Sequence, residues 1–144
     1  IWSCLRPSLP QCSYNCLRRK GRPMAEQRTV SIRKDLDVMY ARSCVRDAAR
    51  QAGMNTMDQA LIALATSTAA RCLGLGDSYQ GKIAIGTLNG GERTGVQIHC
   101  TIEDRTHPGI SAEALNKARS MTDELTVSSV PNSTTQVTLI KWAK

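Results

Sequence analysis

The chain has 144 residues, 41% hydrophobic and 22% charged, enough for one soluble domain with a single core, and no apolar run approaches the roughly 20 residues that span a bilayer. Its net charge of +7 is concentrated in residues 1–23, which hold five of the nineteen basic side chains and no acid. The rest carries fourteen basic and twelve acidic side chains, only 3% of the chain is aromatic and Phe is absent, so neither a phosphate-neutralising stripe nor a base-stacking platform is expected, and nucleic acid is excluded as a partner, as is membrane.

Residues 1–23, IWSCLRPSLPQCSYNCLRRKGRP, lack both hydrophobic period and the apolar run of a secretory signal, and read as a disordered tail or translated leader. Met24 is a natural start, so the domain is expected over 24–144. Cys4, Cys12 and Cys16 fall in that tail, whereas Cys44, Cys72 and Cys100 sit singly in apolar patterns. No pair has C-x-x-C spacing, so reduced cysteines in a cytoplasmic protein are expected rather than a disulfide framework or a zinc site.

Residues 28–33 alternate as a short strand. Asp35 or Asp37 starts a first helix, with Val38, Ala41, Val45, Ala48 and Ala52 at helical spacing and Gly53 as its stop. Thr56 is the cap candidate for a second helix, in which Leu61, Leu64, Ala65, Thr68, Cys72 and Leu75 share one face. GLGDSYQG (74–81) reads as a flexible loop. KIAIGTL and GVQIHCTI are two strands around the hairpin turn NGGERT, and the second of them puts Val96, Ile98, Cys100 and Ile102 on one face. SAEALNKARSMTD (111–123) reads as a third helix capped by Ser111. ELTVSSV and TQVTLIKW close the chain around the turn PNST. His99 and His107 read as an exposed strand histidine and a loop histidine, and RKDLD (33–37) and ERT (92–94) as solvated charges. The order β-α-α-β-β-α-β-β predicts a two-layer α/β sandwich, with helices on one face of a mixed, mostly antiparallel sheet.

That order, together with LDV…AR (36–42), DQALI (58–62), STAAR (67–71), QGKIAI (80–85), ED…PGI (103–110) and TLIKW (138–142), resembles the GHKL ATPase superfamily. Within it the resemblance is to the anti-sigma factor and switch serine/threonine kinase branch, the RsbT-like domains, and it runs from about Arg28 to the end. The resemblance implies the Bergerat-type sandwich and a site for ATP and Mg²⁺. It also implies either phosphorylation of a STAS-domain protein or binding to sigma factors or phosphatases.

The residues that would carry that chemistry are mostly replaced. The family's general base, a Glu on the second helix, falls at Thr68, and its Mg²⁺-ligating Asn, four residues on, falls at Cys72. A threonine hydroxyl is not a useful base near neutral pH, and sulfur is a poor donor to a hard cation. Both residues suit a packed, neutral helix face instead. No catalytic residue and no metal ligand is therefore assigned.

In the family's Asp-x-Gly-x-Gly motif the Asp is kept as Asp104. The first glycine is Thr106, and His107 reads as a one-residue insertion before Pro108 and Gly109. Asp104 either holds adenine or is a solvated carboxylate at a strand end. The glycine-rich lid that cradles phosphates is absent, since no glycine follows Gly109. Thr135 matches the threonine that supports the adenine-binding Asp. Asp104, Gly109 and Thr135 are thus the adenine remnant.

The expected function is a regulatory protein-binding module of an anti-sigma or stress-signalling circuit, a degenerate GHKL domain without kinase activity. Its partner would be a STAS-domain anti-anti-sigma protein, a sigma factor or a phosphatase, and no cofactor is expected. The alternative is an ATP- and Mg²⁺-dependent serine/threonine kinase drawing a base from Glu103 or Glu113. A homodimer through the first helix or a sheet edge is a third reading.

Overall fold

The structure, a computed structural model, describes residues 27–129 and 134–143. The tail, its three cysteines, Met24 and most of the PNST turn lie outside the described residues. The elements are β1 (Gln27–Ile32), α1 (Asp35–Gln51), α2 (Thr56–Leu73), β2 (Gly81–Asn89), β3 (Thr94–Ile102), a 3-10 turn (Ala112–Leu115), α3 (Asn116–Arg119), β4 (Glu124–Ser129) and β5 (Thr135–Trp142). The sheet order is β1-β2-β3-β5-β4, antiparallel at all four pairings. The helices pack on one face, which gives the two-layer sandwich.

Strand alternation builds the core. Val30 and Ile32, Ile83 and Ile85, Val96, Ile98, Cys100 and Ile102, and Val137 and Leu139 all point toward the helices and are buried. Ala41, Cys44, Val45 and Ala49 of α1 meet them. Lys34 is the N-cap of α1, and Asp37 in the first turn closes back on it: its carboxylate accepts the N–H groups of Arg33 and Lys34 at 2.9 and 3.2 Å. Those backbone bonds, Arg33 first, hold its carboxyl below the usual aspartate range. RKDLD is thus partly a cap, not only solvated charge.

α2 differs from its expected register. Asn55, not Thr56, is the N-cap, accepting the Asp58 N–H at 2.8 Å. The buried face runs through Ile62, Thr66, Ala69, Ala70 and Leu73. The stripe predicted to be the core face is split: Ala65 and Leu75 are buried as expected, but Leu64 and Cys72 are exposed, and Leu61 and Thr68 half-buried. Alanines and small residues line α2 nearly all round, so apolar periodicity alone does not select a face.

The 74–81 segment is an ordered connection. Gly74 ends α2 in the left-handed region, its carbonyl accepts the N–H groups of Asp77, Ser78 and Tyr79, and Leu75 is buried. Gly76, at φ +88°, lies so close to Ile32, Lys34 and Val38 that a Cβ there would sit 3.1 Å from the Lys34 carbonyl.

The expected third helix of 111–123 is shortened to the 3-10 turn and the single turn of α3. Ser111 is its cap, accepting from the Ala114 N–H at 3.3 Å. Leu115 and Ala118 are the residues of this segment seen to reach the core. Two apolar anchors three residues apart hold one turn down and give a longer helix nothing to pack.

Candidate functional site

α2 presents Thr68 and Cys72 one helical turn apart, on its open side. Thr68 is half-buried and Cys72 exposed, so the expectation of a closed core face at these positions is corrected: they line a surface, not the interior. The Cys72 thiol donates to the carbonyl of Ala114 at 3.4 Å. The 3-10 turn after the 103–110 loop is therefore seated against α2 at the position where the resembled family holds its metal. Cys44 and Cys100 are buried as small core residues, and desolvation pushes the Cys100 thiol up to about 12.

Asp104 leaves the end of β3 into solvent. One carboxylate oxygen accepts both the Thr106 N–H, at 2.9 Å, and the Thr106 hydroxyl, at 2.7 Å, and these bonds hold its carboxyl below the usual aspartate range. Asp104 thereby organises its own turn. Thr135 is buried opposite Ile102 in the β3–β5 register, and its hydroxyl is not among the groups bound to Asp104. Gly109 adopts φ +89° in the same loop.

His107 is the residue that sequence reasoning undervalued. Its Nδ1 accepts the Gly109 N–H at 2.9 Å, which leaves Nε2 to carry the proton and donate to the Leu73 carbonyl at 2.9 Å. Leu73 is the last residue of α2, and its carbonyl is one of the four that a helix end leaves without an internal partner. The imidazole also meets the Tyr79 ring edge-on, with centroids 4.5 Å apart. One side chain thus ties the 103–110 loop, the end of α2 and the 74–81 connection together. The apparent one-residue insertion was the available signal.

The donor set does not suit Mg²⁺. At the two positions matched to the family's base and metal ligand stand a hydroxyl and a thiol, and among the described residues no three His, Cys, Asp or Glu side chains gather to hold a metal ion. Glu103 is exposed and pairs with Lys82 at 3.4 Å, while Glu113 is exposed on the 3-10 turn. Beside Asp104 a groove of about 470 Å³ is lined by Arg33, Asp77, Tyr79 and Glu103.

The chain is similar to the serine/threonine-protein kinase RsbT of Bacillus subtilis (strain 168). Identity is 29% over 137 residues, covering 84% of this chain and the whole of that relative. No family model matches the chain. The two-layer α/β sandwich described above is the fold class expected from the sequence. Among the described residues no helix is long and apolar enough to cross a membrane.

Two other stretches of the resemblance meet inside the fold. Asp58, from DQALI on α2, and Lys141, from TLIKW on β5, approach to 3.8 Å with both side chains almost fully buried. ERT is likewise more than solvated charge. The Arg93 guanidinium lies 4.3 Å over the Trp142 ring, and the Thr94 hydroxyl donates to the Ala52 carbonyl.

Proposed function

We propose that this chain is a regulatory protein-binding module of a stress-signalling circuit, built on a GHKL-type domain that does not transfer phosphate. The contact between Cys72 and Ala114 is the observation that supports this most directly. It brings the segment after the loop against α2, where a nucleotide-using relative would need an oxygen ligand and a glycine-rich lid. Thr68 supplies no base one turn away, and the latch through His107 gives the loop an internal partner in place of a ligand.

In this reading the domain works by being bound, not by turnover. Its partner is a STAS-domain anti-anti-sigma protein, a sigma factor or a phosphatase, and the protein acts in the cytoplasm. A latched loop holds one binding state, where an active switch kinase would alternate between states. Incubation with radiolabelled ATP, Mg²⁺ and a panel of STAS-domain proteins tests this together with capture of the same proteins on immobilised chain. Stable capture without label transfer is the expected result, and label on a serine or threonine of the partner would overturn it.

A second reading, an active serine/threonine kinase, is favoured by one observation: the similar protein from Bacillus subtilis bears that activity in its name and is matched over its full length. It requires Asp104, Gly109 and Thr135 to hold adenine and a carboxylate such as Glu103 or Glu113 to act as base. The same labelling experiment decides between the two.

A further inference from the structure

A groove of about 460 Å³ lies where the start of α1 meets the end of α2. It is separate from the Thr68 and Cys72 surface: Arg71 precedes Cys72 by one residue and so projects about 100° away around the helix. The volume is within the range of small-ligand sites. Its floor includes Val38 and the buried Leu75, and two arginines from different helices line it, Arg42 of α1 and Arg71 of α2.

Neither guanidinium makes a hydrogen bond or ion pair among the described residues, whereas Arg50 on the same α1 is paired with Asp47. Two guanidinium groups without an ion-pair partner among the described residues thus line one concave surface. The ligand chemistry that matches them is an oxyanion, which guanidinium groups bind in forked geometry. Asp35 and Asp77 line the same groove without an ion-pair partner. They are acceptors, so they favour a ligand that also carries a hydroxyl or ammonium donor.

We infer that this groove binds a small organic oxyanion, a carboxylate or phosphate monoester bearing a hydrogen-bond donor, with Arg42 and Arg71 on the oxyanion and Asp35 and Asp77 on the donor. The proposal does not rest on the regulatory reading above: Arg42, Arg71 and Asp35 lie apart from the groove beside Asp104, which shares only Asp77 with this one.

Calorimetric titration of the full chain with O-phosphoserine, inorganic phosphate and an end-blocked phosphoserine peptide tests it. O-Phosphoserine binds most tightly, and Arg42→Gln or Arg71→Gln each weakens it by about tenfold. Arg46→Gln, on α1 but outside the groove, leaves binding unchanged, and equal thermal unfolding of all three variants excludes a folding defect. Asp35→Asn with Asp77→Asn weakens O-phosphoserine and spares inorganic phosphate. Absence of binding by all three probes, or binding indifferent to both arginines, overturns the site. Tighter binding of the blocked peptide than of free O-phosphoserine overturns the small-ligand assignment in favour of a phosphorylated protein.

Discussion

Lys141 on β5 reaches Asp58 in the first turn of α2 at 3.8 Å, and the two side chains are only 7% and 9% exposed. Lys141 continues the inward-facing row of Thr135, Val137 and Leu139, so strand alternation carries its charge into the helix layer. Asp58 follows the Asn55 cap, where the positive end of α2 also favours an anion. The pair ties the last strand to the start of the helix that bears Thr68 and Cys72. It is imperfect, since the second Asp58 oxygen is buried and has no partner among the described residues.

Removing one member should therefore cost more than removing both. Lys141→Met alone leaves a buried carboxylate uncompensated and should destabilise the fold by about 3 kcal/mol. Asp58→Leu combined with Lys141→Met should recover most of that loss. Urea unfolding of the two variants checks this, and additive losses in the double variant would contradict a coupled pair.

His107→Ala should free the 103–110 loop. It removes the bonds to Leu73 and Gly109 and the contact with Tyr79, with an expected loss of about 1–3 kcal/mol. Amide exchange should accelerate at Gly109 and across the end of α2 while the central strands β2 and β3 stay protected. Unchanged exchange in the loop would show that His107 is not its anchor.

His99 should set part of the acid sensitivity. Its ring is half-buried, with the Gln136 amide donating to Nδ1 at 2.9 Å and the Thr138 hydroxyl at the same distance. Desolvation lowers its pKa below the ordinary 6.5. The folded state then binds fewer protons than the unfolded chain just below that value, so stability falls as pH drops through 6.5 toward the lowered value. His99→Gln should flatten the stability profile in that window, measured by urea midpoints against pH. A profile that the substitution leaves unaltered would contradict the assignment.

Gly95 should not tolerate a side chain. Trp142 lies opposite it in the β3–β5 ladder, and a Cβ at Gly95 would stand 2.6 Å from the Lys141 carbonyl and 2.8 Å from the indole ring. Gly95→Ala should displace Trp142 from beneath Arg93 and cost about 1–3 kcal/mol. Thermal unfolding checks it, and a neutral substitution would mean that both the β5 backbone at Lys141 and the Trp142 ring give way without cost.

The strands were legible because most alternate: the inward row Val96, Ile98, Cys100 and Ile102 falls on one face and is wholly buried, although in β2 Gly86 and Leu88 are buried out of step with Ile83 and Ile85. TQVTLIKW was bounded correctly for the same reason. α2 was not, because alanines such as Ala63, Ala65, Ala69 and Ala70 blur its apolar face, and Leu64 and Cys72 of the predicted stripe proved to be exposed. The third helix was overextended because a cap at Ser111 marks where a helix begins, not how long packing will sustain it. At the candidate site, residue type alone shows that Thr68 and Cys72 offer neither a useful base nor a hard-cation ligand. The role of His107 was not legible in this way, since its partners Leu73 and Tyr79 lie far from it in sequence and meet it only through the fold.

Calorimetric titration of ATP into the full chain, with and without Mg²⁺, tests most directly the proposal that this domain no longer uses nucleotide. The expected result is no heat and no thermal stabilisation at millimolar ATP in either condition. Binding that tightens when Mg²⁺ is added would contradict it, because that response requires a metal site that Thr68 and Cys72 do not supply.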